Sequence, residues 1–145
     1  MLKPIVMYGS ECWTLTAKDE EFLRAWERKI LRKIYGPKHL DGQWKIRTNE
    51  ELYQLYQKPD IIKEIKSKRL RWLGHVERMP EDRAAKKVWK GRQEGQRKSG
   101  RPRNRWMDEV EKDLKKLGVK NWKRKASDRK EWVQISKEAM ALHGL

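Results

Sequence analysis

Apolar residues in this chain return at steps of three and four, the period of a helix with one buried face. Phe22, Leu23, Trp26, Ile30 and Ile34 do so after Thr16-Ala17-Lys18-Asp19. There a Thr can accept from the third helical N–H, and the acid at that position can bond back. Gly36-Pro37 stops this helix. A loop containing Gly42 follows, then Thr48-Asn49-Glu50-Glu51 repeats the capping pattern before Leu52, Leu55 and Tyr56. Asp60 can cap the next helix, whose stripe is Ile61, Ile62, Ile65, Leu70, Trp72, Leu73 and Val76, with a stop at Pro80. Residues 81–89 read as a short helix with Ala84, Ala85 and Val88 inward. Pro102 suits a first helical turn ahead of Trp106, Val110, Leu114 and Leu117, and Gly118 suits its end. Trp122 begins another turn, and Ser127 can cap a last helix carrying Trp132, Ile135 and Ala139. The run Ile5–Tyr8, closed by Gly9, is too short to separate helix from strand and has no strand partner. The predicted fold is all-α, a small bundle of about five to seven helices with a basic Gly-rich loop.

Such a bundle must be built with few apolar side chains. Charged residues are 40% of the chain and hydrophobic ones 37%, a balance that by itself leans toward disorder. Eight Trp lean the other way, because each can bury about 150–250 Å². Trp26, Trp72, Trp106 and Trp132 fall on the apolar stripes and are expected in the core. Trp44, Trp89 and Trp122 lie near helix edges. The one cysteine, Cys12, excludes an internal disulfide and a Cys-based zinc site and fits a reducing, intracellular setting, nuclear or cytoplasmic. No apolar run reaches the roughly 18 residues of a membrane span.

The net charge of +16 is unevenly distributed. Residues 66–106 hold fifteen Lys and Arg against four Asp and Glu, whereas residues 1–65 hold twelve against ten. A one-sign block of this kind is the footprint of a polyanion-binding surface, since Lys and Arg neutralise phosphates and release counterions. Lys66, Lys68, Arg69 and Arg71 lie within two helical turns. Arg92, Arg97, Lys98 and Arg101 continue the run through 91–101, a segment with three Gly and no apolar residue that reads as a flexible arm, and Arg103 and Arg105 follow it. These ten cations are the candidate nucleic-acid contacts. Many Arg with few Asn or Gln on a helix face predict phosphate gripping with little base readout. Gly100-Arg101-Pro102-Arg103 also has the form of a minor-groove hook, although a Pro starting a helix after a basic arm explains the same residues.

Other chemistry is weakly represented. Asp60, Glu64 and Lys66 spell a Pro-Asp…Glu-x-Lys nuclease pattern that would hold Mg²⁺. The gap between the acids is short, however, and all three lie on a predicted helix. His39, His75 and His143 are dispersed, and His75 reads as a buried or half-buried structural residue. Cys12 beside Trp13 reads as packing. No cofactor, metal site, small-molecule substrate or catalytic residue is expected.

Five stretches resemble, in one order, the region after the polymerase palm of LINE-type non-LTR retrotransposon reverse transcriptases. They are Tyr8-Gly9-Ser10-Glu11-Cys12-Trp13-Thr14-Leu15-Thr16, Arg28 to Pro37, Arg69 to Val76, Gly100 to Trp106, and Leu117-Gly118-Val119 with Asp128-Arg129 and Trp132. The resemblance spans nearly the whole chain. It implies a thumb-like helical segment over 1–80 and a basic C-terminal extension over 81–145. RNA or DNA backbone is the implied partner, with the upstream palm as a second partner and protein docking as the alternative role. It also implies that the polymerase acids lie upstream, because no Asp-Asp pair occurs here, and that Ile5–Tyr8 is the exit from that palm.

Overall fold

The computed structural model describes residues 3–91 and 105–141. The fold is mostly helical, as the periodicity requires. Among the described residues it has eight α-helices: α1 (Lys3–Val6), α2 (Ala17–Tyr35), α3 (Asn49–Tyr56), α4 (Ile61–Glu77), α5 (Ala84–Lys90), α6 (Trp106–Lys116), α7 (Trp122–Ser127) and α8 (Arg129–Ala141). A 3-10 turn covers Ser10–Cys12, and one antiparallel hairpin pairs β1 (Lys38–Leu40) with β2 (Gln43–Lys45). The chain divides into a smaller unit, Leu15–Glu64, and a larger one, Met1–Thr14 with Ile65–Leu145. The division falls inside α4, so the boundary expected at 80/81 lies within the larger unit.

In the smaller unit the helix starts are set locally. Thr16 accepts from Asp19 N, and Asp19 Oδ2 accepts from Thr16 N at 2.9 Å; Thr48 and Glu51 do the same for α3. The buried face of α2 differs from the predicted stripe: Phe22 and Ile34 are exposed, whereas Glu27 and Leu31 are buried. Glu27 is drawn inward because its Oε2 accepts from Ile61 N at 3.0 Å, satisfying a first-turn N–H of α4 with a carboxylate where the helix dipole favours one. Asp60 adds Oδ1 to Lys63 N at 2.9 Å and Oδ2 to Arg24 Nε at 3.2 Å. The hairpin occupies the segment expected as a plain loop. Asp41 and Gly42 both take positive φ (52° and 78°), the conformation a two-residue primed turn needs and the one Asp-Gly favours.

Both capping carboxylates titrate below their ordinary range. Asp19 is lowered first by its side-chain bond to Thr16 and then by the Thr16 backbone N–H. Glu51 is lowered first by its bond to Lys38 and then by the Thr48 backbone N–H. A depressed carboxylate pKa adds stability above the unfolded value and loses it as pH falls through the folded one. The α2 and α3 starts should therefore hold through the ordinary carboxylate range and fray only as pH falls below it, through the depressed folded values. Amide exchange at residues 17–20 and 49–52 would register this. Replacing Thr16 by Ala should remove the larger part of the Asp19 contribution and replacing Lys38 by Met the larger part of the Glu51 contribution, and a step unchanged in both variants would refute the assignment.

The larger unit is built around Leu70 and Leu73 of α4, Val110 and Leu114 of α6, Ala126 of α7, and Trp132, Ile135 and Ala139 of α8. Trp89, Trp106, Met107, Leu117, Val119 and Trp122 pack against that core as half-buried residues. Trp132 is the anchor: it is 1% exposed and its Nε1 donates to Leu70 O at 2.6 Å. Ser67 Oγ donates to Ser136 O at 2.7 Å, and Arg78 donates to Ala126 O at 2.6 Å. The start of α8 is capped by Asp128, whose Oδ1 accepts from Lys130 N and Glu131 N. Ser127, the predicted cap, instead donates to Lys123 O one turn back.

Two further expectations change. The run read as a possible strand, Ile5–Tyr8, begins inside the helical turn Lys3–Val6. Helix α5 is rotated from the predicted register: Ala84, Ala85 and Val88 face water, Val88 at 80% exposure, while Lys86 is buried. The reason is polar. Lys86 Nζ donates to Glu77 O at 2.8 Å and to Glu77 Oε2 at 2.6 Å, and Trp89 sets its ring edge-on to Trp106 at 5.6 Å. No helix among the described residues is long and apolar enough to cross a membrane.

Candidate nucleic-acid interface

Charge separates sharply between the two units. The larger holds 26 Lys and Arg against 12 Asp and Glu; the smaller holds 11 against 9. Five of the ten candidate contacts, Arg92, Arg97, Lys98, Arg101 and Arg103, lie outside the described residues, as does His143. The other five fall into distinct environments on α4 and at the start of α6.

Lys66 and Arg69 face inward. Lys66 is 4% exposed and Arg69 1%. Both meet the buried carboxylate of Asp113 on α6: Arg69 Nη2 donates to Oδ2 at 2.7 Å, and Lys66 Nζ lies 3.5 Å from Oδ1. A carboxylate between two cations offsets the cost of removing them from water, and neither ammonium nor guanidinium is presented to a phosphate. The helix register contained the signal. Ile62, Ile65, Leu73 and Val76 step around one face with a gap at position 69, so Arg69 completes the buried stripe.

Lys68 and Arg71 lie on the opposite, outer side of α4. Lys68 is half-buried and Arg71 exposed. Positions 68, 71, 72 and 75 are related by three- and four-residue steps and therefore share that face. Trp72, expected in the core, is on it at 36% exposure. His75 is exposed beside it, ring centroids 5.6 Å apart and planes at 44°. Together with Glu11 these four residues line a cleft of 260 Å³.

The N-terminal segment brings Glu11 to the cleft, and backbone carbonyls hold it there. Met7 O accepts from Lys68 Nζ at 3.0 Å, Glu11 O from Trp106 Nε1 at 2.7 Å, and Trp13 O from Arg69 Nη1 at 3.5 Å. Gly9, at φ 68°, makes the left-handed step into the 3-10 turn.

Arg105 is exposed immediately before α6, where its backbone N–H donates to Asp108. A second basic stretch, absent from the ten candidates, surrounds α7. Lys120, Lys123, Arg124, Arg129 and Lys130 are all exposed. Lys123 Nζ lies 5.7 Å from the centroid of the Trp122 ring, and Lys125 pairs with Glu131 at 3.4 Å. Six cations against one acid over 120–130 are the signal in the sequence. Averaging over the acidic flanks of α6 and α8 conceals it.

The residues of the nuclease pattern have other tasks. Asp60 caps α4 and pairs with Arg24, and Lys66 is engaged by Asp113. Among the described residues no group of three or more His, Cys, Asp or Glu is placed to hold a metal ion. His39 sits on the exposed hairpin, edge-on to Trp44 at 5.0 Å. Cys12 is an exposed free thiol, not the packing residue expected.

A relative in Caenorhabditis elegans, described as an uncharacterised transposon-derived protein, is 27% identical over 138 residues, which cover 91% of this chain and 50% of that protein. The chain thus spans about half the length of this curated relative. The match supports a transposon-derived origin. No family model matches the chain, and no solved structure matches it.

Proposed function

We propose that this chain is the nucleic-acid-gripping helical segment that follows the polymerase palm in a LINE-type reverse transcriptase, holding RNA or DNA by its phosphates without a catalytic group of its own. The observation that carries this reading is the concentration of exposed cations in one unit. The larger unit keeps Arg71, Arg105, Lys120, Lys123, Arg124, Arg129 and Lys130 at its surface, even with Lys66 and Arg69 withdrawn into its interior. A surface shaped for solubility alone would intersperse the two signs. The transposon-derived relative and the five family-like stretches supply the context. The gripping surface therefore excludes Lys66 and Arg69, includes the α7 cations, and retains the arm cations Arg97, Lys98, Arg101 and Arg103.

Binding of the full chain to a short oligonucleotide should weaken linearly on a log–log plot of affinity against salt, with a slope of about −0.7 to −0.9 per phosphate neutralised. Replacing Lys123, Arg124, Arg129 and Lys130 by Ala should make that slope shallower by about 0.7–0.9 for each phosphate no longer neutralised. So should the Ala set at Arg97, Lys98, Arg101 and Arg103. Absence of binding at low salt would overturn the proposal. A slope unchanged by either set would exclude that segment as the phosphate-gripping surface.

A further inference from the structure

We propose that the cleft on the outer face of α4 receives one unpaired nucleotide, its base laid against Trp72 and its phosphate held by Arg71 and Lys68. This rests on the nucleic-acid reading above and specifies which state of the nucleic acid the larger unit selects. Three observations converge on it. The first is placement. Trp72 is the large apolar ring of an outward face whose other members are Lys68, Arg71 and His75, while the opposite face of the same helix buries Leu70, Leu73 and Val76. A large indole exposed among cations offers a flat surface flanked by phosphate partners, the combination by which single strands are held.

The second observation is size. At 260 Å³ the cleft lies just below the range of about 300–1,000 Å³ usual for sites that enclose a whole small molecule. It suits one flat ring entering from the surface with its sugar and phosphate left outside. The third is the chemistry of the rim. Glu11 is the one carboxylate among the described residues that line the cleft. A carboxylate accepts hydrogen bonds from the exocyclic amines of bases or from a ribose hydroxyl, and it repels a bare phosphate. The anion is thereby directed to the Arg71 side and the base edge to the Glu11 side. In a duplex the faces of internal bases are covered by their neighbours, so this stacking requires an unpaired residue.

The test uses the full-length chain at low salt and three labelled ligands of equal length: a single strand, the same backbone with abasic sites in place of its bases, and a duplex. Trp72→Leu should weaken binding of the base-bearing single strand by about 5- to 150-fold, which corresponds to about 1–3 kcal/mol of stacking at 1.4 kcal/mol per decade. The abasic backbone and the duplex should be affected by less than about twofold. Trp72→Phe, which keeps a ring, should recover most of the loss. Leu is a good helix former, and an unchanged helical spectrum confirms that the variant is folded. Equal weakening of all three ligands, or no effect on any, overturns the assignment of the cleft. Failure of the unaltered chain to bind any ligand would instead overturn the broader reading. The two failures are therefore distinguishable.

Discussion

Asp113→Ala should lower the unfolding free energy of the larger unit by about 3–5 kcal/mol, the cost of leaving buried charge without its counter-charge. Against a total of about 5–15 kcal/mol for a domain, that is a large share, and a urea or thermal melt followed by helical signal would measure it. The magnitude follows from burial. Asp113 is 3% exposed and meets two cations that are as deeply enclosed. The Nε of Arg69 is itself buried without a hydrogen-bond partner among the described residues. This guanidinium therefore depends on Asp113 and on a single longer bond to Trp13 O. A buried ion cluster is costly to break and often inexpensive to replace whole. The triple variant Asp113→Leu, Lys66→Met, Arg69→Leu should thus recover most of the loss. It also separates two roles for the cations. If Lys66 and Arg69 gripped phosphate, removing them would make the salt slope of binding shallower by about 1.4–1.8. Because both point inward, the triple variant should leave that slope unchanged while a mutation at Arg71 alters it. A stable Asp113→Ala protein, or a triple variant with a shallower slope, would refute the buried-cluster account.

The features legible in the sequence are those determined by neighbours along the chain. The starts of α2 and α3 come directly from Thr16 and Thr48 with their acids three residues on, because a capping box is closed within one turn. The hairpin is equally local, signalled by Asp41-Gly42. Its flanks, Lys38-His39-Leu40 and Gln43-Trp44-Lys45, disguise it as a loop because they carry almost no apolar alternation. What the sequence conceals is settled by partners far away in it. Counting charge around Lys66–Arg71 cannot reveal that an acid on α6 draws two of the four cations inside. The rotation of α5 likewise depends on the carbonyl and carboxylate of Glu77, which bind a Lys that has the pattern of a solvent residue. The Trp residues illustrate the limit of a stripe most directly. Trp72 and Leu73 are adjacent and about 100° apart on α4. Which of them faces the core depends on the register of Ile62, Ile65 and Val76, and that register selects Leu73.

The same helix contains a position where adding a methyl group should be more harmful than its helix propensity suggests. Gly74 lies in the interior of α4, where Ala would ordinarily be favoured by about 1 kcal/mol. Its glycine is required by proximity rather than by backbone conformation. A Cβ there would fall 2.2 Å from both Cδ1 and Nε1 of Trp132 and 2.9 Å from Cγ. The indole cannot move aside without cost, because its Nε1 is bonded to Leu70 O in the turn just before Gly74 and the core surrounds its other face. Gly74→Ala should therefore displace Trp132 from its seat. The cost of losing a buried aromatic, about 3–5 kcal/mol, is only partly offset by the propensity gain, leaving a net destabilisation of about 2–4 kcal/mol. The decisive measurement is the sign of the effect in a second background. Trp132→Leu should itself be destabilising, but it opens the notch over position 74. In that background Gly74→Ala should become neutral or stabilising by up to about 1 kcal/mol, a coupling well beyond the few tenths expected of independent sites. If Gly74→Ala has the same sign in both backgrounds, the indole is not what excludes a side chain at 74. The packing through which α8 closes the core onto α4 would then have to lie elsewhere.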